Sequence, residues 1–186
     1  FTPEWTEYTA EGTMTAEQNG GSTFAFNLND FKEANTYYFD DLSFTLNGKE
    51  LMKNGNCDDP AGTENFVSVY DQGSQKPTTI VDKYQYTSME VVPTKQEVQR
   101  TCLKVDAADM KANPWDSQFF IYFPGVTFKT GDTWAIKMNV RADKEATVGT
   151  QTHNKPSEYI HWAAIGSVPF TPEWTEYTAE GTMTAE

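Results

Sequence analysis

The stretch Phe128–Asp143, FKTGDTWAIKMNVRAD, decides the fold class. From Thr133 onward its large apolar side chains recur at every second position, as Trp134, Ile136, Met138 and Val140. A period of two belongs to a strand with one face in a core, and Thr130-Gly131-Asp132 supplies the turn that precedes it. Working outward, Ser22–Asp30 (STFAFNLND) repeats the pattern, with Phe24, Phe26 and Leu28 on one face and Ala25, Asn27 and Asn29 on the other. Similar β-rich runs are Trp5–Thr15, Tyr37–Leu46, Phe66–Tyr70, Thr101–Asp106, Ser117–Phe123, Thr147–Thr152, Tyr159–Ile165 and Trp174–Thr184. Turn signals separate them at Asn19-Gly20-Gly21, Asn113-Pro114, Pro124-Gly125 and Lys155-Pro156, and Asn47-Gly48 is a strong hairpin signal. No window carries sustained helical periodicity with caps. Many short strands at this spacing predict an all-β chain, a jelly-roll β-sandwich of two antiparallel sheets.

A chain of 186 residues suits one domain, or one domain with part of a second copy. Mean hydropathy is low at -0.63, yet aromatics reach 14%, a combination that fits strands alternating in and out of a core. The net charge of -13 excludes a nucleic-acid partner and disfavours an anionic membrane surface, since both need a basic footprint. No run approaches the roughly 18 apolar residues of a membrane span. No leader is visible at Phe1, so any export signal lies outside this sequence. Cys57 and Cys102 lack metal-ligand spacing; they read as one disulfide of an exported protein or as two buried thiols.

Residues Phe1–Glu17, FTPEWTEYTAEGTMTAE, recur without a change as Phe170–Glu186, 169 positions later. That offset is a domain length and not a solenoid period. It implies tandem, nearly identical modules in a longer parent, or a deliberately permuted chain. Residues 1–169 then form one module in circularly permuted order, with 1–46 supplying the closing strands and 51–169 the rest. Residues 170–186 open a further repeat or serve as a swapped strand. Two identical strands cannot share one slot in one sandwich, so a strand-swapped dimer is among the expected assemblies.

Four stretches carry a family resemblance: LMKNGNCDDP (Leu51–Pro60), FKTGDTWAIKMNVRAD (Phe128–Asp143), FTPEWTEYTAEGTMT and TYYFDDLSF (Thr36–Phe44). In permuted order they resemble the carbohydrate-binding modules of families 4, 9 and 22, as attached to bacterial xylanases. Cys57 and Asp58 stand where that pattern has Phe and Glu. The resemblance implies a secreted, periplasmic or cell-surface module that binds a β-linked plant cell-wall polysaccharide without catalysis. Xylan comes first and mixed-linkage β-glucan or cellulose second, with a covalently linked glycoside hydrolase and a sister module as neighbours. It further implies a structural Ca²⁺ held by acidic side chains of the opening and closing strands, here Asp40, Asp41 and Asp58. Hard oxygen ligands suit that ion, and a solvated acidic edge is the alternative.

Sugar rings pack their C–H faces on aromatic rings and offer hydroxyls to flanking polar groups. Trp115, in the turn-rich KANPWDSQ, is the first stacking candidate, or else a cap on the core edge. Tyr159 is the second. Along Gln151–Ala163, Tyr159 and His161 share one face while Ile160 and Trp162 share the other, the core side. Asn27, Gln118 and His153 are the polar candidates, and Arg141 reads as an ion-pair or cleft residue. Trp134, Trp5 and Trp174 are expected in the core. No Gly-x-Ser-x-Gly, metal-spaced histidines or phosphate loop is present, and acidic pairs among 27 carboxylates are not specific. The chain therefore reads as no enzyme. The other class it fits is a structural or adhesive β-sandwich repeat.

Overall fold

The structure is a computed structural model that describes residues 12–13, 19–70, 74–76, 79–89, 95–107, 113–161 and 165–182. Its strands are β1 (Gly12–Thr13), β2 (Thr23–Asn27), β3 (Asn35–Leu46), β4 (Lys49–Glu50), β5 (Phe66–Tyr70), β6 (Ser74–Lys76) and β7 (Thr79–Met89). The chain continues through β8 (Lys95–Ala107), β9 (Ser117–Tyr122), β10 (Thr133–Ala142), β11 (Ala146–Lys155), β12 (Glu158–His161), β13 (Ser167–Phe170) and β14 (Thr175–Thr182). Two 3-10 turns, Leu28–Phe31 and Pro114–Asp116, are the helical elements among the described residues. Sheet one runs β1-β14-β10-β3-β8-β7, with β4 paired to β3. Sheet two runs β12-β11-β2-β9-β5-β6, with β13 paired to β11. Pairing is antiparallel except for β1 on β14. The chain is thus an all-β sandwich of two sheets.

The core is built from the alternation that the sequence displays. Phe24 and Phe26 of β2 meet Phe44 and Phe39 of β3 across the sandwich, with ring centroids 5.0 and 5.4 Å apart. Phe39 also packs on Phe119 at 4.6 Å, and Phe44 on Phe123 at 4.6 Å. Each such aromatic pair adds about 0.5–1.5 kcal/mol beyond the area it buries. Trp134, Ile136, Met138 and Val140 face the same core.

Strand β3 does not alternate without a break. Tyr37 and Phe39 point inward, and so do Leu42 and Phe44, which have the opposite parity. A bulge reconciles them, since the pairing with β10 slips between Lys137 and Asn139 and Asp41 takes a left-handed φ of 48°. The groups freed by the slip find partners. Leu42 N–H donates to the Gly55 carbonyl (2.9 Å), Asp41 N–H to Asp40 Oδ1 (2.8 Å), and Asn139 Nδ2 to Asp41 Oδ2 (2.8 Å). At the end of β3, Asn47 and Gly48 have φ of 51° and 75°, the paired positive values of a two-residue hairpin turn.

Some expectations move. Of the two readings of the cysteines, the structure takes the second: Cys57 and Cys102 are buried thiols not joined in a disulfide, and burial pushes Cys57 up to about 12. Trp174 is not in the core: it precedes β14, half-buried, with the Arg141 guanidinium 6.0 Å from its ring. Arg141 itself lies 4.1 Å over the Tyr38 ring and pairs with Asp143 at 3.7 Å, which makes it structural. Trp5, Trp162, most of Trp5–Thr15 and the side chain of His161 lie outside the described residues.

Candidate functional site

The outer face of sheet two collects the polar candidates, and strand register explains how. Side chains two apart share a face, and residues opposite each other across an antiparallel pair become neighbours. On β2 and β9, Asn27 stands opposite Gln118, and Ala25 opposite Phe120. On β11, Gln151 pairs with Ala25 and His153 with Thr23, and His153 also stands opposite Tyr159 of β12. The core-facing residues of these strands turn away from this array, so the strands carry two distinct surfaces.

A continuous network joins the array. Gln118 Nε2 donates to Asn27 Oδ1 (2.8 Å) and to Gln151 Oε1 (3.0 Å). His153 Nε2 lies 3.2 Å from the same Gln151 oxygen. A carbonyl oxygen only accepts, so the His153 proton sits on Nε2 and Nδ1 carries the lone pair. That Nδ1 is buried and has no hydrogen-bond partner among the described residues. The imidazole packs edge-on against Phe120 at 5.1 Å and Tyr159 at 5.7 Å. Burial in this setting lowers the His153 pKa to about 4, which keeps the ring neutral.

The polar groups of the array are not exhausted by one another. Asn27 Nδ2, Gln118 Oε1 and Gln151 Nε2 make no hydrogen bond within the described residues, alongside His153 Nδ1. Donors and acceptors therefore alternate across one face, framed by Phe120 and Tyr159. Tyr159 is 47% exposed, whereas Asn27, Gln118, Gln151, His153 and Phe120 are all buried.

Of the five binding residues expected from sequence, Asn27, Gln118, His153 and Tyr159 come together here. Trp115 is half-buried in the 3-10 turn that leads into β9, two residues before Ser117. Asn113 and Asp116 cap that turn reciprocally, and Asn29 Nδ2 ties it to the end of β2 through the Asn113 carbonyl (3.0 Å). Trp115 is thus held near the Asn27–Gln118 end of the face. Gln151 and Phe120 were not anticipated. The doublet Phe119-Phe120 held a signal for the second, because adjacent strand residues face opposite ways and only one can enter the core.

The three acids expected to hold calcium each have a different local setting. Asp40 is fully buried at the β3 bulge, Asp41 accepts from Asn139, and Asp58 Oδ2 accepts from Asn56 Nδ2 (2.6 Å). Among the described residues no group of three His, Cys, Asp or Glu side chains is placed to hold a metal ion. No described helix is long and apolar enough to cross a membrane. No protein-family model, curated protein or solved structure matches the chain.

Proposed function

We propose that the protein binds a neutral β-linked plant cell-wall polysaccharide, xylan ahead of β-glucan or cellulose, on the outer face of sheet two, without catalysis. The observation that supports this most is the set of unspent hydrogen-bonding positions on Asn27, Gln118, Gln151 and His153 beside Phe120 and Tyr159. Sugar hydroxyls both donate and accept, and alternating amides and an imidazole nitrogen match them in kind. Apolar sugar faces give about 25 cal/mol for each Å² they bury on aromatic rings. An acidic surface carries no penalty toward an uncharged ligand. In this reading the module is exported and holds an attached glycoside hydrolase at its substrate.

Calorimetry with xylohexaose and cellohexaose tests the proposal. Trp115→Ala and Tyr159→Ala should each weaken binding about tenfold or more, the loss of about 1–3 kcal/mol of stacking, with little change in melting temperature. No heat with either sugar, together with no retardation in gels containing xylan or β-glucan, leaves the structural or adhesive repeat. The burial of Asn27, Gln118, Gln151, His153 and Phe120 favours that second reading.

A further inference from the structure

The seventeen residues Phe1–Glu17 and Phe170–Glu186 are identical, and the second copy fills a slot that fits one strand. β14 runs antiparallel along β10, from Thr175 opposite Val140 to Thr182 opposite Thr133. Tyr177 and Ala179 enter the core, and Tyr177 Oη donates to the Ile165 carbonyl at 2.6 Å. Glu176 pairs with Lys137 at 2.6 Å. Each of these side chains has its duplicate earlier in the chain: Tyr8 for Tyr177, Ala10 for Ala179 and Glu7 for Glu176.

The described part of the first copy already stands at the end of this slot. Thr13 lies opposite Thr133, the same partner that Thr182 takes, so it holds the register it would have inside the slot. Gly12 and Thr13 also run parallel to Gly181 and Thr182, each beside its own duplicate. The two copies are tethered at opposite ends. The first continues from its C-terminal end toward β2, and the second arrives at its N-terminal end from β13. A first copy entering from the Thr133 end would replace, like pair for like pair, a second copy held from the Val140 end. The copy that does not occupy the slot matches in sequence the same slot of any other molecule.

We infer that the slot along β10 is an exchange site whose partner is a second copy of this chain, with the left-over strand of one molecule replacing β14 of the next. Backbone pairing along the side of β10 that β14 vacates supplies the recognition, and swapping identical elements asks for no new kind of contact. The resident copy competes at an effective concentration on the order of millimolar. Exchanged dimers consequently grow with protein concentration.

Paired cysteines in the full chain test this. Lys137 stands opposite Thr178, whose duplicate is Thr9. Opposite β-carbons in an antiparallel pair lie about 4.5–5.5 Å apart, close to disulfide reach. Thr178→Cys with Lys137→Cys reports the resident strand, and Thr9→Cys with Lys137→Cys reports the exchanged one. On mild oxidation the second variant should give a linked species at twice 21.0 kDa on a non-reducing gel, in a fraction that rises with concentration. A link confined to one chain, or none while the first variant closes, overturns the inference. The unmodified protein gives an independent reading by light scattering. A mass above 21.0 kDa at high concentration is expected, and a strict 21.0 kDa up to millimolar concentration counts against exchange.

Discussion

His153 joins chemistry and stability in one ring. Its folded pKa near 4 lies below the ordinary histidine value of 6.5, because burial disfavours the cation. Between those two values the unfolded chain takes up a proton that the folded chain refuses. Stability from this group is therefore whole above pH 6.5 and falls as pH drops. The folding equilibrium constant loses up to about tenfold per pH unit until roughly pH 4, where the folded form also titrates and the loss levels off. His153→Gln retains a donor for the Gln151 oxygen and removes the titration, so its urea midpoint should lose this slope. An unchanged slope in that variant would place the titration on another residue. Individual site residues were legible in the sequence as types on a strand face: Asn27, Gln118, His153 and Tyr159 could be named. Their connection was not. Gln118 touches Gln151 only because β2 lies between β9 and β11, and no local pattern states that order.

Among the elements, the β3 bulge and the Gly55 loop depend on each other. A β-carbon built on Gly55 would lie 1.8 Å from the Leu42 carbonyl oxygen, and that atom belongs to the backbone and cannot turn aside. Gly55→Ala must push the loop off the strand and strain the bond from Leu42 N–H to the Gly55 carbonyl. The expected cost is about 1–3 kcal/mol by urea unfolding, in the range of overpacking. Regular strands and turns were readable: Phe66–Tyr70 and Thr133–Ala142 occur with the expected bounds, and the Asn47-Gly48 hairpin forms. The bulge was hidden because Tyr37–Leu46 has apolar residues on both parities, which no single alternation describes. Strand β13 escaped notice because it is four residues long and contains Pro169. Trp174 was misplaced because it shares the parity of Glu176, opposite to Tyr177 and Ala179, which enter the core.

At the scale of the whole molecule, the duplicated strand makes one part of the core replaceable. Phe39→Ala should cost about 3–5 kcal/mol, as for other buried aromatics. If strands exchange as inferred above, Tyr177→Ala should cost clearly less, because Tyr8 of a first copy can take the place of Tyr177, and adding Tyr8→Ala should restore the full penalty. Chemical denaturation of the three variants checks this; equal losses for the single and double tyrosine variants count against replacement. The sheet order has a further consequence, for the time course of synthesis. The first long strands made, β2 and β3, sit inside their sheets and are flanked there by strands made much later. Asn27, for instance, meets Gln118 only after 91 further residues have been joined. At about 5–20 residues per second, a ribosome leaves Phe24 and Phe26 without their flanking strands for roughly 5–20 seconds. The apolar strands that form the centre of the finished sandwich are thus the ones a nascent chain must shield longest.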